Sequence, residues 1–339
     1  MSLRVGLVGA GIAGASHALD IVTDPRLELV AVASRNGNSA NALAETFGGR
    51  TFNSAAQMLA EARLDAVVVA VPPSAVLGIA ELVPPRIPCL VEKPIATNPR
   101  ELIRLQSLVS SHPLMVAPFN RRYQVHVRDG ADVVADGEIG QVRRIVGKWV
   151  GPYRARYAAD VPTYRGTAGQ RCGVLVDSGS HALDLVAIFI PSWTFTPGVV
   201  TGMKSLTERN VRGAEVEAEL RFHIGGVEIE LSFTDQRGHP DCGGWHMTVV
   251  GGAGTVTVDP NRTVIESTVR TTVMEAFGMP RPSTDLWRLA DAEMPTGASL
   301  RAVSAISAAV IAAYDYDQPR VRRWQRPRGK ALGRLNGSC

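Results

Sequence analysis

The stretch VGLVGAGIAG, Val5–Gly14, constrains the fold of this chain more than any other. It places Gly9, Gly11 and Gly14 in a G-x-G-x-x-G spacing, directly after an apolar run and at the start of a helix-period segment. In that context each glycine has its own task. Gly9 permits the tight turn, Gly11 lets the backbone approach a pyrophosphate, and Gly14 lets helix and strand pack closely. The helix start, with Ile12 and Ala13, offers free N–H groups to phosphate oxygens.

The surrounding pattern extends this unit. Candidate strands at Arg4–Val8, Leu27–Ser34, Ala66–Ala70, Pro88–Glu92 and Leu114–Pro118 alternate with candidate helices. The helices are expected at Ile12–Thr23, Ser39–Phe47, Ser54–Ala62, Ala75–Leu82 and Pro99–Ser110. Near-continuous apolar runs such as DAVVVAV suit parallel strands covered on both faces. The alternation predicts right-handed βαβ units in a doubly wound parallel sheet, an α/β Rossmann domain over residues 1–120.

Past Asn120 the pattern changes. A helix near Val125–Asp136 leads into the alternating strand GQVRRIVGKWVG, a Gly- and Arg-rich stretch over residues 151–173, and a helix SHALDLVAIFI. Strands follow at Val199–Ser205, Val216–Ile224, Val227–Thr234, His246–Gly251 and Thr255–Asp259, with Gly225-Gly226 as a hairpin turn. An α+β domain with a large, mostly antiparallel open sheet is expected over residues 121–319. Its last apolar helix, about Leu300–Tyr314, should pack back against one of the two domains. A basic tail occupies residues 320–339.

Length and composition set outer limits. At 339 residues the chain exceeds what one hydrophobic core usually serves, which favours two domains. No apolar run approaches the roughly 20 residues needed to cross a bilayer. The glycine-broken N-terminus does not read as a signal peptide. The 4 cysteines show no paired spacing and the 7 histidines no HxH or HExxH cluster, so reduced thiols, a cytoplasmic setting and no metal are expected. The net charge of +4 owes much to seven Arg/Lys between Arg320 and Arg334, read as a solvated terminus and not a nucleic-acid arm. Neither nucleic acid nor membrane is an expected partner.

The second strand ends AVASRNGN, and where an acid would hydrogen-bond an adenosine ribose the chain has Ser34 and Arg35. A guanidinium pairs with a 2′-phosphate through a fork of donors, which favours NADP. Stacking of Arg35 on adenine would leave NAD acceptable.

Lys93 ends the fifth strand, on the sheet edge that carries the glycine loop, where doubly wound sheets bind ligands. Pro94 disfavours a helical conformation at Lys93. Asp177 and His181 stand four apart at a helix start and can share one face, with Asp184 a further turn on.

VGLVGAGIAG, VEKPIA, APFNRRY and GVLVDSGSHALDL, in this order, resemble the Gfo/Idh/MocA family of NAD(P)-dependent oxidoreductases, as does MTVVGGAGTVTVD later in the chain. The resemblance implies Lys93, Asp177 and His181 as the catalytic set. His181 would take the substrate hydroxyl proton as hydride leaves its carbon, Lys93 would stabilise the developing alkoxide, and Asp177 would orient the imidazole or bind a neighbouring hydroxyl. It implies cofactor contacts from Val71, Pro72, Glu92 and Lys93, although AVPPSAVLG lacks the family's Thr-Pro-x-x-x-His run. Asn120, Arg121 and Arg122 fall where the family pattern places substrate contacts. Arg154, Arg156, Arg165 and Arg171 crowd the loop before Asp177 and could grip a phosphate, carboxylate or nucleotide-sugar diphosphate, or simply pair with surface acids or a neighbouring subunit. Members resembling this chain act on sugars, inositols and related polyols, and assemble as homodimers or homotetramers through the C-terminal sheet. In the family the Lys–Pro bond is often cis, and the same is expected at Lys93-Pro94. Some relatives are non-catalytic dinucleotide-sensing regulators and others act on dihydrodiol-like alcohols. Retention of both Lys93 and His181 favours an enzyme.

Overall fold

The computed structural model describes residues 2–158, 173–195, 200–211, 213–236, 244–278 and 281–319. Arg165, Arg171 and the basic tail lie outside the described residues.

The first half alternates strand and helix: β1 (Leu3–Val8), α1 (Ile12–Val22), β2 (Leu27–Ala33), α2 (Gly37–Phe47), β3 (Arg50–Phe52) and α3 (Ala55–Glu61). β4 (Ala66–Val69), α4 (Pro73–Ala80), β5 (Cys89–Val91), α5 (Pro99–Ser111) and β6 (Met115–Ala117) complete it. Every residue of β4, β5 and β6 is buried, as their unbroken apolar sequences require. These six strands are mutually parallel, in the order β6-β5-β4-β1-β2-β3. Side chains start the helices: Asn36, Ser54 and Asn98 each accept first-turn N–H groups, and Pro99 follows Asn98 at the first helical position. The doubly wound expectation therefore holds.

The second half contains α6 (Val125–Ala135), β7 (Val142–Gly151), α7 (Tyr153–Arg156), α8 (Ser180–Phe189) and α9 (Ser192–Phe195). After them come β8 (Val200–Arg209), β9 (Glu215–Ile224), β10 (Val227–Asp235), β11 (Trp245–Gly251), β12 (Gly254–Val258), β13 (Arg262–Ser267) and β14 (Thr271–Glu275). The chain closes with α10 (Thr284–Ala290), β15 (Ala298–Ser299), α11 (Leu300–Asp315) and β16 (Asp317–Pro319). A nine-stranded sheet runs β14-β13-β12-β11-β7-β10-β9-β8-β16, antiparallel except where β10 meets β7 and β16 meets β8. Gly225 and Gly226 form the two-residue β9–β10 turn with φ of +54° and +88°, values open to glycine without strain. β9 alternates buried and more exposed residues, so one face is covered and the other meets solvent.

Two late segments return to the first sheet. β15 adds an antiparallel edge strand to β6, pairing Ala298 with Ala117. Asp285, fully buried, accepts from the Tyr123 hydroxyl at 2.6 Å and from the backbone N–H groups of Thr296 and Gly297 at 2.8 and 2.7 Å, which fixes that return. Helix α11 contacts α5 as well as α8, α9 and β8, so it packs on both halves and not on one alone. Its small apolar residues, including Ala302, Ala305, Ala309 and Ala313, let several elements approach it closely.

Candidate active site

The glycine loop joins β1 to α1 beside β2 and β4. Gly9 has φ of +108° and donates its N–H to Ala33 O at 2.8 Å. A Cβ there would stand 2.1 Å from Ala70 O, so only glycine fits. A Cβ on Gly14 would come within 1.9 Å of Gly9 O, which gives the close packing its spacing predicts. A Cβ on Gly11, by contrast, would meet nothing within 4 Å. Gly11 caps α1 without any side-chain hydrogen bond, so the first N–H groups of the helix are left to a ligand. A tight turn below open space and uncapped amides fits a dinucleotide pyrophosphate. Arg35 is exposed just past β2, and Ser34 Oγ accepts from Asn36 N at 3.3 Å. Val71 and Pro72 flank the loop after β4.

The lysine lies on the same edge. Glu92 N donates to Val69 O at 2.8 Å, extending the β4–β5 register, and the next bond along, Lys93-Pro94, is cis as expected. Lys93 Nζ reaches Asp177 Oδ1 at 3.4 Å. The Tyr157 hydroxyl donates to Asp177 Oδ2 at 3.2 Å, and Arg156 Nη1 lies 3.8 Å from the same oxygen. Asp177 is only 5% exposed, so these donors set its orientation. At 3.4 Å the lysine contact is at the long limit of a hydrogen bond, and an ammonium has three donors. Lys93 can therefore meet a substrate oxygen without leaving Asp177.

Asp177 lies in a π-type turn, Leu175–Gly179, that runs directly into α8. Such wide turns recur at functional sites because they rotate side chains off the regular helical face. A regular helix would set Asp177 and His181 on one face; the π-type turn changes that phasing. His181, in the first turn of α8, meets Phe119 edge-on with ring centroids 5.6 Å apart. Phe119 follows β6, so residues after β5, residues after β6 and the start of α8 converge here.

The two neighbouring arginines diverge. Arg122 Nε donates to Asp184 Oδ1 at 2.7 Å, and Asp184 is 1% exposed. Burial raises the Asp184 pKa while Arg122 pulls it down. Arg122 is thus engaged in an internal pair. The Arg121 guanidinium lies 4.6 Å over the Trp245 ring, with Nε and Nη1 enclosed and lacking a hydrogen-bond partner among the described residues. Burial pushes its pKa down to about 10, against the pull of Asp184, Tyr153 and Asp177. Asn120 is exposed in the turn between β6 and α6. Arg154 is bound to Glu208 and Asp235 at 2.5 and 3.0 Å, the acid pairing that its sequence context left open. A cavity of about 740 Å³ lies elsewhere, between α6, the end of α8 and the segment before β15, and takes only Arg122 from the predicted site.

Sequence reasoning missed two residues. Tyr157 is fully buried on Asp177, and His17 Nε2 lies 2.9 Å from Glu92 Oε1. Both contacts join residues far apart in the chain, and no local spacing announces them. Among the described residues no group of three metal-ligating side chains occurs, and no helix is long and apolar enough to cross a membrane.

Comparison with known proteins agrees with this architecture. Residues 3–119 match the family described as an oxidoreductase family with an NAD-binding Rossmann fold, and residues 131–325 match its C-terminal alpha/beta domain. A dTDP-3,4-didehydro-2,6-dideoxy-alpha-D-glucose 3-reductase from Streptomyces violaceoruber is 26% identical over 346 residues, spanning 100% of this chain and 91% of that protein. Inositol 2-dehydrogenase 3 from Saccharopolyspora erythraea is 26% identical over 281 residues, 79% of this chain and 76% of the relative. Among solved structures, a 3-ketoreductase from Actinomadura kijaniata in complex with NADP and TDP-benzene superposes with a TM-score of 0.74 at 19% identity, over 94% of this chain and 99% of the other.

Proposed function

Because the chain belongs to the Gfo/Idh/MocA oxidoreductase family, we propose that it moves a hydride between a nicotinamide dinucleotide and a hydroxyl- or keto-bearing carbon of a sugar, an inositol or a nucleotide-linked sugar. The observation that carries this reading is the Lys93–Asp177 pair, set on the sheet edge that holds the glycine loop and next to the helix turn of His181. Residues 1–120 hold the dinucleotide and residues 121–319 shape the substrate pocket.

The glycine loop, Ile12, Ala13, Val71, Pro72 and Glu92 hold the dinucleotide, which supplies hydride acceptance and donation when bound. Every other step belongs to the chain. His181 removes the substrate hydroxyl proton during oxidation and returns it during reduction, its ring held by Phe119. The Lys93 ammonium donates to the same oxygen and stabilises the negative charge that grows there. Asp177, oriented by Tyr157 and Arg156, keeps that ammonium aimed and limits its free rotation. Arg121 offers its unmet donors to a substrate oxygen, which removes the cost of leaving them unpaired. Asn120 is a substrate contact in this reading, Arg165 is the sequence's candidate for another, and Arg122 acts through Asp184.

NADP is the preferred dinucleotide, because Arg35 is exposed and free to reach a 2′-phosphate and the end of β2 carries Ser34 and Arg35 where a ribose-binding acid would stand. The nucleotide-linked sugar is the variant favoured by the relative that spans the whole chain. The exposed face of the nine-stranded sheet, where Arg144 pairs with Glu228 and Glu230, joins protomers into a homodimer or homotetramer. Incubation with NADP or NAD and a panel of inositols, sugars, sugar phosphates and dTDP-sugars should produce reduced nicotinamide with at least one polyol. Tight dinucleotide binding without turnover on any member would instead indicate a regulator.

A further inference from the structure

We propose that His17 is a positioning residue for Lys93, an inference that rests on the oxidoreductase reading above. His17 lies on α1, the helix whose first turn faces the dinucleotide, and its side chain is 7% exposed. Its Nε2 stands 2.9 Å from Oε1 of Glu92, the residue immediately before Lys93. Glu92 is itself anchored through its backbone N–H to Val69 O at 2.8 Å. The glycine-loop helix therefore holds the side chain of the residue that introduces the lysine. On the other flank Pro94 is buried and its ring fixes its own φ.

This anchoring matters because the lysine is loosely held at its tip. Four carbons separate its ammonium from the backbone, and the contact to Asp177 is 3.4 Å long. A small rotation of the Glu92–Lys93 turn would carry the ammonium off the reacting oxygen. A merely structural reading treats the pair as a tie between α1 and β5. That reading predicts lost stability on removal of the imidazole and no specific change at the lysine.

Acetylation by acetic anhydride, read lysine by lysine by peptide mass spectrometry on the intact protein, separates the two. The chain has four lysines, and Lys148 and Lys204 serve as internal references for Lys93. His17→Ala should raise Lys93 labelling relative to the references by roughly fivefold, the scale of one hydrogen bond. His17→Gln, whose amide nitrogen can replace Nε2, should return the ratio to within about twofold of the parent. Adding His17→Ala to Glu92→Ala should change nothing more, since both remove the same contact. Should His17→Ala fail to fold, Glu92→Ala reads the contact from its other end. An unchanged Lys93 ratio in the alanine variants, or an equal rise in His17→Gln, overturns the proposal. Labelling needs no substrate, so absence of turnover on every polyol would sink the enzymatic reading without touching this result.

Discussion

Two cation–carboxylate pairs tie the first sheet to the segment of α8, seven residues apart, and they behave oppositely. Arg122 and Asp184 meet at 2.7 Å, with the carboxylate 1% exposed and its pKa raised by burial. Lys93 and Asp177 meet at 3.4 Å, with a lysine side chain 13% exposed and further donors from Tyr157 and Arg156. The first is a short single hydrogen bond from a planar guanidinium to a buried acid, which favours rigidity. The second is a compact charge on a flexible stem, able to share its protons with something else. Proximity of opposite charges thus says little about use; distance, exposure and the number of competing donors say more.

The largest expected effect is on turnover, at the histidine one turn beyond the loose pair. His181→Ala should lower kcat by about 10²–10⁴-fold, the usual contribution of a positioned acid–base group, with dinucleotide affinity little changed. Steady-state kinetics beside a fluorescence titration of the dinucleotide would show the split. At the tight pair the effect should fall on stability. Asp184→Ala leaves Arg122 Nε with neither acceptor nor charge partner and should cost about 3 kcal/mol in urea unfolding. Since burial raises the Asp184 pKa above its unfolded value, its contribution is fully present below the unfolded pKa and is lost as pH rises through the folded one. The Ala variant should lose that slope in urea midpoints measured across pH.

Away from both pairs the effects shrink. Arg35→Ala should weaken NADP by about tenfold while leaving NAD nearly unchanged, the scale of a charge-assisted hydrogen bond. Equal losses for both dinucleotides would refute the 2′-phosphate reading. The Arg50–Glu61 bridge, with side chains 66% and 42% exposed, is the control. Arg50→Ala should shift unfolding by less than about 0.5 kcal/mol, because water and salt screen such a pair.

The same contrast explains what the sequence could tell. β4, β5 and β6 announce themselves because strands covered on both faces must be apolar throughout. β3 and β15, three and two residues long, carry too little pattern to be seen, and β15 joins its sheet only through a contact with β6 made late in the chain. β13 and β14 escape the sequence pattern for a related reason: mixed Thr, Glu and Arg residues blur their alternation. At the site, Lys93 and Asp177 were legible from local motifs. Tyr157 and His17 were not, since each acts across a tertiary contact that no spacing encodes. Arg122 looked like a ligand-binding residue by position, and only the buried Asp184 reveals its engagement.

The most direct test removes each cation in turn and reads both properties in each variant. Lys93→Ala should lower turnover by orders of magnitude and shift urea unfolding little. Arg122→Ala should do the reverse, destabilising the fold by about 3 kcal/mol while the properly folded fraction keeps most of its turnover. A Lys93→Ala variant that turns over like the parent and loses stability as Arg122→Ala does would contradict the division of labour between the two pairs.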